Sequence, residues 1–287
     1  YTADQLPTTH PIAADMVDLE AVEQNFDGIT YAKGASVLKQ LVAYVGEDAF
    51  LAGVRQYLAD HAFDNASLSD LLEALERAGG KDLSSFSEQW LSTSGVNTLS
   101  SGMTADEDGT ITSFAVEQSA PDGHGTLRTH HLAIGCYEFS GEELVAADSL
   151  EVDVHGPSTP IAALVGRRRP ALVLLNDRDL DYAKVRLDDE SLATALGGVT
   201  RIADPLARAL VWNTVWDMTR DAQLTAAEFI AMAVDGAGSE SDMTAVTTAL
   251  ARALTAATAY TAPAQREVNG EALVAGIAAR LKEASPG

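Results

Sequence analysis

The chain has 287 residues, 46% of them hydrophobic, and a formal net charge of -23 from 19 Lys and Arg against 42 Asp and Glu. A chain this long and apolar can bury a sizeable core, which excludes a disordered polymer. The charge excludes nucleic acid and anionic membrane surfaces as partners, since both are bound through basic patches.

The opening residues, YTADQLPTTHPIAADM, have neither a basic region nor an apolar run, so no signal peptide is read there. They also lack a Met and read as the middle of a longer protein. Helices are predicted across residues 28–95. Ala35, Leu38, Leu41, Val42 and Val45 recur at helical spacing and predict one apolar stripe, stopped by Gly46. Tyr31, flanked by Gly28, Lys33 and Gly34, stands four residues before Ala35. By spacing alone it either extends that stripe or does chemistry at the helix threshold. Phe50, Leu51, Val54 and Leu58 repeat the pattern. Ser67 and Asp70 are spaced as a capping box ahead of Leu68, Leu71, Leu72 and Leu75, and Gly79-Gly80 ends that helix. Phe86 and Trp90 fall on one face, at i and i+4.

Residues 97–188 change period. Turn pairs at Asp108-Gly109, Asp122-Gly123 and Gly156-Pro157 separate short runs. Leu132, Ile134 and Cys136 alternate with smaller or polar neighbours. So do Leu150, Val152 and Val154, and Ala183, Val185 and Leu187 against Tyr182, Lys184 and Arg186. ALVLL at 171–175 suits a central strand. Such runs without intervening helices predict a small β-sandwich. Cys136 is the only cysteine, so no intrachain disulfide can form. It reads as a small buried hydrophobe on a strand and points to a reducing, cytoplasmic compartment.

From residue 189 Ala-rich helices return. Asp204-Pro205 reads as an N-cap with Pro at the first helical position, and Thr225 with Glu228 as a capping box stapled by Leu224 and Phe229. Breaks near 220, 236–240 and 262 predict helical hairpins, the beginning of a solenoid. No apolar run is long enough for a transmembrane helix.

Chemistry is sparse in the residues themselves. His10, His61, His124, His130, His131 and His155 form neither an HxxxH pair nor HExxH, and most read as surface groups. His130 and His131 adjoin in a strand and point to opposite faces. No GxSxG, GxGxxG or P-loop occurs. GRRRP at 166–170 reads as a solvated turn, and Asp188-Asp189 and Glu142-Glu143 as solvated loop acids.

FDGITYAKGASVL, residues 26–38, resembles a segment of the aminopeptidase N family of zinc metallopeptidases, in which a tyrosine precedes a Lys-Gly step and an apolar helix. TTHPI at 8–12 resembles that family's Ser-His-Pro segment, and Phe86, Trp90 and Gly95 the end of its catalytic domain. Residues 176–192 resemble the end of the β-sandwich in the actinobacterial branch, and 204–230 the opening of its C-terminal helical domain. The resemblance implies a multidomain α+β chain. Residues 1–96 would be the helical end of a thermolysin-like catalytic domain, 97–188 a β-sandwich, and 189–287 the start of an α-helical domain.

The resemblance also implies removal of N-terminal residues from peptides, by a zinc held on HExxH and a later glutamate. The substrate amine is held by a Gly-x-Met-Glu-Asn segment. None of these motifs is in the sequence, and the family places them upstream of the tyrosine. The expectation is therefore a C-terminal piece that binds no zinc and is inactive alone, part of a cytoplasmic, monomeric enzyme acting on peptides. Tyr31 is assigned the oxyanion of the tetrahedral intermediate, and Phe26, Gly28, Ile29 and Thr30 the approach to the site. The rival is a non-enzymatic interaction protein, a β-sandwich flanked by helices.

Overall fold

A computed structural model describes residues 1–283. The order is helices, then sheets, then helices, as the α+β expectation requires. After a 3-10 turn at Ala3–Gln5 come α1 (Leu19–Gln24), a π-helical turn (Ile29–Lys33) and α2 (Gly34–Val45). Next are α3 (Glu47–Asp60), α4 (Leu68–Gly79) and α5 (Ser84–Phe86), which runs into a second π turn, Ser87–Leu91. The strands are β1 (Thr98–Ala105), β2 (Ile111–Ser119), β3 (His130–Ser140), β4 (Glu143–Val154), β5 (Ser158–Pro160), β6 (Leu172–Leu175) and β7 (Lys184–Arg186). The chain then forms α6 (Asp189–Leu196), α7 (Pro205–Arg220), α8 (Ala226–Ala237), α9 (Met243–Ala259) and α10 (Arg266–Glu283).

In the first helical part, the capping box of Ser67 and Asp70 starts α4. The buried face of α2 is displaced from the one spacing predicts. Val37, Leu41 and Val45 pack with Leu75, Leu83, Phe86 and Trp90, while Ala35 is exposed and Leu38 is 47% exposed. Gly34, Val37 and Leu41 lie on the side that meets the neighbouring helices, and Leu38 sits about 100° away from Val37. Trp90 closes this core and donates its indole N–H to the Thr129 carbonyl at 3.0 Å, which ties the helices to the sheets.

The sandwich has sheets ordered β5-β2-β1-β7 and β4-β3-β6. All pairs are antiparallel except β1 with β7. Between the sheets lie Leu99, Val116, Leu132, Ile134, Cys136, Val173 and Val185. Cys136 is the buried strand hydrophobe expected, and burial pushes its thiol up to about 11. The outer face of β3 and β6, carrying Tyr137, Leu172 and Leu174, is covered by the C-terminal helices. That double burial explains the continuous apolar run of β6.

Surface readings at His130, Arg169 and Asp188 are corrected, and β7 is more deeply buried than its alternation suggests. His130 is fully buried, its Nδ1 2.7 Å from Asp181 and its Nε2 3.1 Å from Gln118. The parallel strand β7 is covered on both faces. Lys184 and Arg186 are therefore buried too, and both pair with Asp221 just after α7. In GRRRP, Arg167 is exposed, but Arg169 is half-buried and pairs with Asp188, which caps α6 instead of lying in a loop.

The C-terminal helices start as expected. The Asp204 carboxylate accepts from the N–H groups of Leu206 and Ala207 ahead of Pro205 in α7. Thr225 and Glu228 form the box of α8, with Leu224 and Phe229 buried beside it. Ala249, Ala253, Ala256 and Ala257 let α9 approach α8 closely.

Candidate active site

Tyr31 sits in the π turn, a conformation that inserts one extra residue per turn and concentrates at functional sites. Tyr31 is 55% exposed, so it does not extend the core stripe of α2. Phe26 stands edge-on to it, ring centroids 4.8 Å apart.

The turn is capped from its own sequence. The Asp27 Oδ1 accepts from Ile29 N at 2.8 Å and Thr30 N at 3.1 Å, and the Asp27 carbonyl accepts from Tyr31 N at 3.1 Å. His10 places Nε2 3.3 Å from Asp27 Oδ2. Burial pushes the Asp27 carboxyl up, but the two N–H donors and the His10 ring outweigh it and hold it below its ordinary value. The Thr30 hydroxyl donates to the Asn25 carbonyl at 2.6 Å.

The other side of the turn is buried. Lys33 and Asp4, with side chains 1% and 2% exposed, pair at 2.8 Å. Lys33 Nζ also donates to the Gly95 carbonyl at 3.2 Å. Asp4 accepts from Gly95 N at 3.0 Å, from the Thr9 hydroxyl at 2.7 Å and from the Tyr182 hydroxyl at 3.3 Å. Gly95 has φ 84, in the left-handed region, and a Cβ there would lie 2.9 Å from His124 Cβ. Only glycine fits that backbone and close approach together. Burial lowers the Lys33 ammonium even against Asp4. On Asp4 burial acts upward, yet Lys33, Thr9 and Gly95 hold the carboxyl below its ordinary value. Asp4 is therefore ionised at neutral pH.

The residues named for the approach separate. Phe26 is 68% exposed beside Tyr31 and Gly28 is exposed, whereas Thr30 is half-buried and Ile29, 2% exposed, turns into the core. The segment before them is apolar and open, with Met16, Val17, Leu19 and Val22 all exposed. Asp27 was missed from sequence, although an Asp two and three residues ahead of free N–H groups is a cap signal. Asp4 carries no local signal, because its partners are distant in sequence. Among the described residues no three His, Cys, Asp or Glu gather as a metal site. These side chains thus offer no ligand set for a zinc ion.

Residues 1–90 match the family described as Peptidase family M1 domain, and residues 172–287 match the ERAP1-like C-terminal domain. Aminopeptidase N of Streptomyces lividans is 52% identical over 274 residues, 93% of this chain. The likeness to peptidase family M1 itself is carried by the first 90 residues. It spans 32% of the Streptomyces protein's length. Two archaeal proteins are similar to shorter stretches. Tricorn protease-interacting factor F2 of Thermoplasma volcanium is 38% identical over 42% of the chain and 15% of its own length. Probable aminopeptidase 1 of Sulfurisphaera tokodaii is 44% identical over 33% of the chain and 12% of its own length. The Tyr31 turn and its Asp4–Lys33 underside both lie inside the M1 segment.

Proposed function

We propose that this chain supplies one part of the active site of a zinc-dependent aminopeptidase, with Tyr31 as the donor to the oxyanion. Addition of water to a peptide carbonyl leaves negative charge on the former carbonyl oxygen. A neutral O–H already in place stabilises that charge without reorganisation. The observation that carries the reading is an exposed phenol on a turn capped by Asp27 on one side and pinned by Lys33 on the other. A packing tyrosine would be buried, and an incidental surface tyrosine would not need a braced π turn.

The finer parts of the reading follow from it. Zinc, its ligands, the general base and the amine-binding group would come from residues outside these 287. The substrates would be peptides with a free N-terminus, and Phe26 and Gly28 would face them. The enzyme would be a cytoplasmic monomer, for which the buried, free Cys136 is the supporting feature. Residues 1–96, 97–188 and 189–287 would form three domains. The first two would be joined through Trp90 and Thr129.

The test has two arms. The 287 residues alone should show neither stoichiometric zinc nor peptide turnover. In the full-length protein, Tyr31→Phe should lower kcat by about 10²–10³-fold with KM little changed. Peptidase activity of the chain alone, or near-normal turnover of the variant, overturns the reading.

A further inference from the structure

We propose that Lys33 is a positioning residue for Tyr31, holding the π turn at the height at which the phenol meets the oxyanion. This rests on the reading of Tyr31 given above. Successive side chains around such a turn are spread so that residues i and i+2 point to roughly opposite sides. Tyr31 accordingly faces outward and Lys33 inward. The extra residue of a π turn is intrinsically unfavourable and persists where its surroundings over-determine it. Asp27 determines the start of this turn. Lys33 determines its end.

The post on which Lys33 rests is assembled from three separate stretches of chain. Asp4 comes from the opening segment, Gly95 from the end of the helical part and Tyr182 from the strand region. Lys33 Nζ also lies 5.5 Å from the centroid of the Tyr182 ring. Arg128, the other buried cation nearby, is held instead by Asn97, Thr93 and the carbonyls of Gln89 and Ser94. It leaves Asp4 to Lys33. The height of the Tyr31 turn is thus fixed to the junction of the helices with the sheets. A shift of about 1 Å at a reacting centre can cost about 10²-fold in rate.

The experiment is a double-mutant cycle in the full-length enzyme, with kcat and KM measured for Lys33→Met, Tyr31→Phe and the double variant. Lys33→Met should lower kcat by about 10–100-fold with little change in KM. On the Tyr31→Phe background the same change should cost less than about twofold, because the hydroxyl it positions is already gone. A lysine that only holds the fold together would cost the same factor in both backgrounds, and that result overturns the proposal. So does an unchanged kcat in Lys33→Met alone. Tyr31→Phe by itself decides the oxyanion reading, so the two failures are told apart. Circular dichroism checks that each variant is folded. If Lys33→Met does not fold, Asp4→Asn keeps the shape of the post, removes its charge, and carries the same expected coupling.

Discussion

Asp4 shows how much one carboxylate can organise. Nearly buried, it accepts from Lys33, Thr9, Gly95 and Tyr182 together. Removing one partner of a buried pair typically costs about 3–5 kcal/mol, so Asp4→Asn should destabilise the protein by about that much at neutral pH. The pH dependence has a definite sign. The folded carboxyl titrates below its ordinary value of 3.8, so the native state binds fewer protons than the unfolded one. Its contribution is present above that value and lost as the pH falls through the depressed one. The stability gap between wild type and Asp4→Asn, from urea unfolding at a series of pH values, should therefore close on acidification. A gap that widens would show that the Asp4 carboxyl is not depressed in the folded state. None of this was legible in the sequence. YTADQ gives Asp4 no local role, and a lysine in YAKGASVL reads equally well as solvated. Tyr31 was singled out through its neighbours, whereas Asp27 was missed although its capping position carried a signal.

Among the elements, caps were read well and faces less well. Ser67 with Asp70 and Thr225 with Glu228 are local signals, complete within four residues, and both form as expected. The face of α2 depends on what packs against it, so the predicted stripe caught Leu41 and Val45 but took in Leu38 and missed Val37. The same limit applies to β7, where nothing local announces that Asp221 pairs with Lys184 and Arg186. Close packing is equally non-local. A Cβ on Gly53 of α3 would lie 2.8 Å from Leu75 Cδ2 and 3.0 Å from both the Ala74 carbonyl oxygen and Leu75 Cα. Helix propensity favours Gly53→Ala by about 1 kcal/mol. Overpacking against α4 backbone costs about 1–3 kcal/mol, and backbone cannot swing aside as a side chain can. Clash should win, so Gly53→Ala should lower the midpoint of denaturation. An increase would mean that α3 and α4 separate freely.

On the scale of the whole molecule, the order of helices, sandwich and helices was legible because it rests on a change of period from 3.6 to 2 and back. The sharing of core between sheet and C-terminal helices was not. Tyr137, Leu172 and Leu174 belong to a cluster most of whose other members come from α6 to α10, and no strand pattern specifies its partner. The functional account likewise spans regions. The Tyr31 turn is braced by a post that includes Gly95 and Tyr182, so the phenol is placed by the junction of the parts and not by its own helix alone. A group that acts only on the transition state should bind its mimic and ignore the ground state. The decisive measurement is the affinity of the full-length enzyme for a tetrahedral phosphinic peptide analogue, compared between wild type and Tyr31→Phe. The account predicts that the variant loses affinity for the analogue by the factor it loses in kcat/KM, about 10²–10³, while substrate KM holds. Equal binding of the analogue to both proteins would contradict it.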